Sequence, residues 1–316
     1  MQILSPGTYI APVTVFDEHE ELDLVSQRSY TEYLLNDEKI DGLLACGYTG
    51  EIGSLTEAEQ LSIVRTLADA TAGRVPLICG LRPTSTKHTI DFGRALHEHG
   101  ADALLINAPF NMLTRSGFAG DPQLAVEFYR AVADGTGTPL VVFQYPAGTG
   151  QQYPPELLAR ICELPGVVGV KNAGSASSYA ADSSAVGNRA VMIADSNAYD
   201  VVGMAAAGAE VLLVGIANIA PSLWRRFHEF TTVGDFTSAI ELANRQLRPI
   251  IDTFGPQHQT TGSFVARIKE GLYQQGLIPA SVVRAPEPSA TIGDRVAVAD
   301  LLRRLGLIAA PADASN

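Results

Sequence analysis

The stretch VPLICGLRPTSTKHTIDFGRALHEHGADALLIN, residues 75–107, contains one complete unit of the chain's organisation. Val75–Gly80 is a short apolar run without polar alternation, the pattern of a strand buried on both faces. Thr86–His99 follows with Ile90, Gly93, Ala95 and Leu96 at helical spacing, and Ala103–Asn107 is a second buried run. Parallel neighbouring strands need a crossover of this length between them. The same unit recurs in both directions. Further strands are predicted at Tyr9–Phe16, Gly42–Cys46, Pro139–Phe143, Val167–Lys171, Val191–Ala194 and Val211–Gly215, which makes eight. Helices are predicted between most of them, at Thr56–Ala70, Pro122–Asp134 and Pro154–Glu163, the last opening on prolines that a first helical turn tolerates.

Alternation on this scale predicts an α/β fold of the TIM (β/α)8 barrel type, in which closure of the parallel sheet removes exposed edges. A doubly wound open sheet is the main alternative. It would place G-x-G-x-x-G after its first strand, and that motif is absent after Tyr9–Phe16, as is any P-loop. After the eighth strand about a hundred residues remain. They read as helices at Leu223–Phe230, Phe236–Phe254, Thr261–Gln275 and Asp294–Leu305, with Pro279–Pro288 as a proline-rich connector. The expected organisation is therefore a barrel core over 1–220, a C-terminal helical extension over 221–310 and a disordered tail over 311–316.

Composition narrows the function classes. The 34 acidic residues outweigh 22 Lys+Arg to give a formal net charge of −12, which argues against nucleic acid as partner. Hydrophobic residues make up 46% and charged ones only 18%, an excess that calls for a large core and a subunit interface. Cys46, Cys79 and Cys162 have no metal-like spacing and are too few for a disulfide framework, so a reducing cytoplasm is expected. The longest membrane-span candidate, Ala205–Ala220, is interrupted by Gly208, Glu210, Gly215 and Asn218. The opening MQILSPGTYIAPVTVF lacks a basic n-region and reads as a strand, so neither membrane insertion nor export is expected.

In a parallel barrel, chemistry belongs at the C-terminal ends of the strands. Four ends stand out: Gly47-Tyr48-Thr49-Gly50-Glu51, Gly80-Leu81-Arg82, Phe143-Gln144-Tyr145-Pro146, and Lys171. Lys171 closes the run Val167-Val168-Gly169-Val170. Its amine would sit over the barrel mouth, where desolvation favours the neutral form and a ketone can be captured as a Schiff base; from spacing alone, a lysine that simply marks where a strand meets water is the favoured reading. GYTGE is either an ordinary βα turn or one whose amides and Thr49 hydroxyl hold a carboxylate, with Thr56 as N-cap of the next helix and Glu59 three residues on. Arg82 and Arg115 can grip an acidic group or be solvated surface residues. His97-Glu98-His99 is not the zinc-helix pair, and Asp17-Glu18-His19-Glu20-Glu21 reads as a solvated loop, so no metal is expected.

In chain order the motifs are Ala11-Pro12-Val13-Thr14, GYTGE with Ser54-Leu55-Thr56, Gly100-Ala101-Asp102, Tyr145-Pro146 with Thr149-Gly150, Gly169-Val170-Lys171 and Ala217-Asn218. This series resembles the dihydrodipicolinate synthase/N-acetylneuraminate lyase family of class I Schiff-base lyases over roughly residues 5 to 305. The resemblance implies a TIM barrel with C-terminal helices, a homotetramer, and pyruvate or another 2-oxo acid bound covalently to Lys171 with no other cofactor. It also implies that Thr49 and neighbouring amides such as that of Gly50 hold the 2-oxo acid carboxylate, that Leu213 lines the pocket, and that an aldehyde is the second substrate.

The departures from that family are specific. Its proton-shuttling tyrosine falls on Phe143, the tyrosine's relay partner on Tyr48, a P-Y-Y segment on Pro109-Phe110-Asn111, and the synthase arginine on Gly148. True dihydrodipicolinate synthase activity is therefore not expected. Tyr48 or Tyr145 would carry protons beside the altered positions, and Arg82 would meet the distal end of the substrate. A Schiff-base dehydratase or deaminase and a non-catalytic 2-oxo acid-binding barrel are the alternatives.

Overall fold

The computed structural model describes residues 4–109, 121–145, 152–195, 199–255 and 264–309. Among these residues, eight strands close into one parallel barrel in sequence order. They are β1 (Gly7–Ile10), β2 (Gly42–Ala45), β3 (Leu77–Leu81), β4 (Ala103–Asn107), β5 (Leu140–Gln144), β6 (Val167–Asn172), β7 (Val191–Ala194) and β8 (Val211–Leu213). Among the described residues, seven helices alternate with them: α1 (Leu24–Asn36), α2 (Glu57–Thr71), α3 (Thr86–Glu98), α4 (Pro122–Thr136), α5 (Pro155–Cys162), α6 (Ala176–Val186) and α7 (Asp200–Ala206). After β8 come α8 (Pro221–Thr232), α9 (Phe236–Leu242), α10 (Arg248–Phe254), α11 (Phe264–Gln274) and α12 (Ile292–Arg304).

The apolar strand pattern produces two cores. Outward-facing residues such as Leu43, Leu104, Val142 and Val170 pack under the helices. Inward-facing ones, among them Tyr9, Leu44, Leu105, Phe143 and Leu213, fill the barrel. Burial on both faces explains why the strands read as continuous apolar runs rather than as alternation.

Two sequence expectations needed correction. The first strand ends at Ile10, short of Phe16. Pro12 cannot donate to a ladder, and the segment beyond turns under the mouth instead, with the Thr14 hydroxyl donating to Gly50 O at 2.7 Å. The helix expected over Phe236–Phe254 is split by a π-helical turn at Ala243–Leu247. Pro249 stands in the first turn of α10, and the wider turn before it accommodates a ring that an unbroken α-helix would clash with. By contrast, Thr56 does cap α2, and its capping box with Glu59 is complete.

The C-terminal segment is tied to the barrel by charge as well as by apolar contact. Arg284 forms a bidentate pair with Glu59, at 2.8 and 3.1 Å, and donates to Ser54 O and Glu20 O. Its guanidinium lies 4.5 Å from the centre of the Phe16 ring. Hydrogen bonds from Arg284 hold the Glu59 carboxyl down to about 2, against an ordinary 4.5. The folded state therefore binds this proton less readily than the unfolded chain. The stabilisation is complete above about pH 4.5 and is lost as pH falls toward 2. With the partial exposure of the pair discounted, native protein is expected to lose about 1–2 kcal/mol more than Glu59→Gln between about pH 5 and pH 2.5 in urea unfolding. Parallel acid profiles for the two proteins would contradict this.

Candidate active site

The mouth begins with the turn after β2. Cys46 and Glu51 both adopt left-handed backbone conformations, with φ of 51° and 54°, and Glu51 N donates to Tyr48 O at 3.0 Å. Such conformations cost non-glycine residues of order 1 kcal/mol and persist where the surroundings impose them. One neighbour is Gly80 at the end of β3, where a Cβ would stand 2.2 Å from Cys46 O. On the opposite side Thr49 is buried against the end of β8: a Cβ on Gly215 would lie 2.3 Å from its Oγ1.

Glu51 is a residue that sequence reasoning quoted without assigning it a purpose. Its Oε1 pairs with Lys269 Nζ, its Oε2 accepts from Arg284 N at 3.2 Å, and Lys269 also donates to Val282 O at 2.7 Å. Lys269 is fully buried. Burial pulls its ammonium down to about 8, with Glu51 opposing the fall. The pair ties the turn to α11 and, through Arg284 N, to the connector after it.

Lys171 stands on β6, two residues after Gly169 and directly opposite Phe143 on β5. It is buried, and its Nζ lies 4.3 Å from the centre of the Phe143 ring. Behind it, on the outer side of the sheet, Asp182 of α6 accepts from Gln144 at 2.9 Å and Asn172 at 2.7 Å, which locks the ends of β5 and β6 together. Nζ donates to Asp195 Oδ2. Asp195 follows β7, is itself buried, and is positioned by its N–H donating to Asn172 O at 2.9 Å. Sequence reasoning missed Asp195, although the strand-end criterion that singled out Lys171 applies to it equally.

A cavity of about 360 Å³ opens over this mouth, within the range of small-molecule sites. Its wall includes Tyr48, Glu51, Arg82, Asn107, Phe143, Tyr145 and Glu287. Tyr145 packs edge-on to Phe143 with centroids 5.2 Å apart. Its phenol is pushed up by burial and then by Tyr48 and Asp195, while that of Tyr48 is pushed up by burial and then by Glu287. Tyr48 is 63% exposed and stacks on Phe264.

The sequence candidates are thus brought to one end of the barrel but not all to one surface. Tyr48, Tyr145, Arg82 and Phe143 line the cavity. Thr49, Gly50, Lys171 and Leu213 lie outside its described wall, Leu213 in the barrel interior with Phe143. The hydrogen bond of Lys171 within the described residues goes to Asp195 and not to either tyrosine. Gly148, Arg115, Phe110, Asn111 and Pro146 lie outside the described residues.

A closed parallel barrel with a buried lysine and carboxylate at the carboxyl ends of adjacent strands has the layout of an enzyme of the α/β barrel class. The sequence profile of the dihydrodipicolinate synthetase family matches residues 5–305, and the chain belongs to that family of lyases. It is 30% identical over 313 residues to 4-hydroxy-tetrahydrodipicolinate synthase 1 of Streptomyces coelicolor, covering 97% of this chain and 95% of that one. The corresponding synthase of Cereibacter sphaeroides is 29% identical, with 96% and 99% covered. Among solved structures, chloride-inhibited dihydrodipicolinate synthase from Acinetobacter baumannii, complexed with pyruvate, superposes with a TM-score of 0.85 at 22% identity, covering 96% and 100% of the two chains. CdNal from Clostridium difficile, in complex with mannosamine, gives 0.81 at 19%, with 95% and 98% covered. At these identities the structural likeness speaks for the fold.

Proposed function

We propose that this chain is a class I Schiff-base lyase that acts on pyruvate or another 2-oxo acid through Lys171. The observation that carries the reading is the Lys171 amine, buried at the mouth of a barrel of this family and set against Phe143, whose ring lines a cavity of substrate size. An iminium on that nitrogen withdraws electrons from the neighbouring carbon, so a carbon–carbon bond can be made or broken with no metal or added cofactor. The turn at Thr49 and Gly50 offers amides and a hydroxyl to the carboxylate. Tyr48 and Tyr145 offer hydroxyls to the carbonyl oxygen of an aldehyde partner, and Arg82 meets the distal end of the substrate.

The 4-hydroxy-tetrahydrodipicolinate synthase reaction of the relatives is not the one we assign, because Phe143 places an apolar ring where the family has its proton-shuttling tyrosine. The same ring supports a second reading, expulsion of water or ammonia from a 2-oxo acid already held as the iminium, which acidifies its adjacent C–H bonds without help from that tyrosine. A homotetramer in the cytoplasm completes the proposal.

The test has two arms. Native protein treated with pyruvate and borohydride is expected to gain the mass of one reduced adduct per chain. A panel of aldehydes and deoxy-2-oxo sugar acids is then followed by pyruvate release or consumption. An aldehyde plus pyruvate marks the lyase, and an intact carbon skeleton marks the dehydratase. Formation of 4-hydroxy-tetrahydrodipicolinate at a rate typical of enzymes, on the order of 10 per second, would overturn the exclusion of the synthase reaction.

A further inference from the structure

We infer that Asp195 is the proton carrier for Schiff-base formation at Lys171, taking the place of a hydroxyl that Phe143 cannot supply. The inference rests on the Schiff-base reading above and names the group that makes it work. Its basis is geometric. Asp195 Oδ2 accepts directly from Nζ, both side chains are more than nine-tenths buried, and Oδ1 accepts no hydrogen bond from the described residues. A buried carboxylate oxygen left open in this way is costly unless it has a use. The other face available to Nζ is the Phe143 ring, which attracts the cation but can neither accept nor return a proton.

The two charges are matched to the reaction. Lys171 starts as an ammonium against the Asp195 carboxylate, which balances charge inside the barrel but leaves no lone pair for attack. Transfer of one proton from Nζ to Oδ2 gives a neutral amine beside a neutral acid. The nitrogen lone pair then forms a bond to C2 of the 2-oxo acid, and the carbonyl electron pair moves to oxygen. A second nitrogen proton passes to that oxygen to give the carbinolamine. Asp195 next returns its proton to the carbinolamine hydroxyl, the C–O bond breaks, and water leaves as the C=N bond forms. One ammonium and one ketone have become one iminium and one water, and Asp195 is again a carboxylate, now facing the iminium charge. It is a catalytic residue in the strict sense, since it touches the reacting nitrogen throughout.

Neither tyrosine occupies this position. Tyr48 is largely exposed and stacked on Phe264, and Tyr145 packs its ring on Phe143 without a hydrogen bond to Nζ. The tyrosines therefore serve the second substrate, and the carboxylate serves the lysine.

The experiment reads the rate of iminium formation. Native protein, Asp195→Asn and Asp195→Ala are mixed with pyruvate, aged for graded times and quenched with borohydride, and the reduced adduct on Lys171 is followed by intact and peptide mass. Asparagine keeps the size of the side chain but cannot take the proton, so the rate is expected to fall on the order of 100-fold. In Asp195→Ala, added formate is expected to restore the rate in proportion to its concentration, which a purely structural role for Asp195 would not allow. This arm also holds if the asparagine variant folds poorly. A variant rate within a few fold of native, or an alanine variant indifferent to formate, overturns the inference while leaving the Schiff base intact. No adduct on native protein overturns the Schiff-base reading itself.

Discussion

Protein carrying Lys171→Ala is expected to gain no mass when incubated with pyruvate and borohydride under conditions that label the native chain. Its turnover of any substrate found for the native enzyme is expected to fall on the order of 10⁵-fold, because in the proposed mechanism this residue forms the covalent bond on which every later step depends. The remaining acceleration would come from binding alone. The substitution leaves Asp195 buried without its partner, so a near-native circular dichroism spectrum is the required control. An adduct of equal yield in the variant, located by peptide mass on another lysine, would remove Lys171 from the mechanism. Lys269 is the informative competitor, since it too is buried near the mouth, but its amine is committed to Glu51 and Val282 O.

The second large effect concerns stability. Glu51→Ala strips the ion partner from Lys269, whose side chain is 0% exposed, and is expected to cost about 3–5 kcal/mol, the usual penalty for one member of a buried pair left alone. Urea unfolding at constant m-value measures it. The double variant Glu51→Ala, Lys269→Met should recover most of that loss, because a buried pair exchanged for apolar side chains is often close to neutral. If the single and double variants lose the same amount, the pair does not carry the mouth turn and the packing of α11 does.

These two expectations differ in how far they could be read from the sequence. The barrel was legible because each strand is buried on both faces, so runs such as Leu77–Leu81 and Ala103–Asn107 announce themselves without any partner in view. Lys171 was legible for a related reason: a charged residue that ends such a run must lie at the mouth. The errors occurred where a local pattern met a proline. Pro12 ends β1 early and Pro249 interrupts the helical run of residues 236–254, and neither effect shows in hydrophobic periodicity.

Asp195 and the Glu51–Lys269 pair were illegible for different reasons. A single aspartate in Ala194-Asp195-Ser196-Asn197 has the composition of any polar turn, and only closure of the barrel shows that it lies against Lys171. Glu51 and Lys269 sit toward opposite ends of the chain, with no motif linking them. The position of Phe143 was readable, since the family pattern falls on it, but its ring against the lysine ammonium was not. Side-chain pairing across a closed sheet is set by register, and register is not written in any one segment.

The Glu51–Lys269–Arg284 arrangement has a consequence for anyone who wishes to borrow this site. The strained turn after β2 looks like a portable loop, a handful of residues that could be grafted onto another eight-stranded scaffold or kept while the chain is shortened after β8. It is not portable. Its shape leans on α11 and the connector beyond it as well as on the ends of β3 and β8, so a transplant that leaves the C-terminal groups behind would carry the right letters into a loop missing part of its support. The module that evolution can recombine here, and that an engineer should move, is the barrel mouth together with its distant C-terminal buttress.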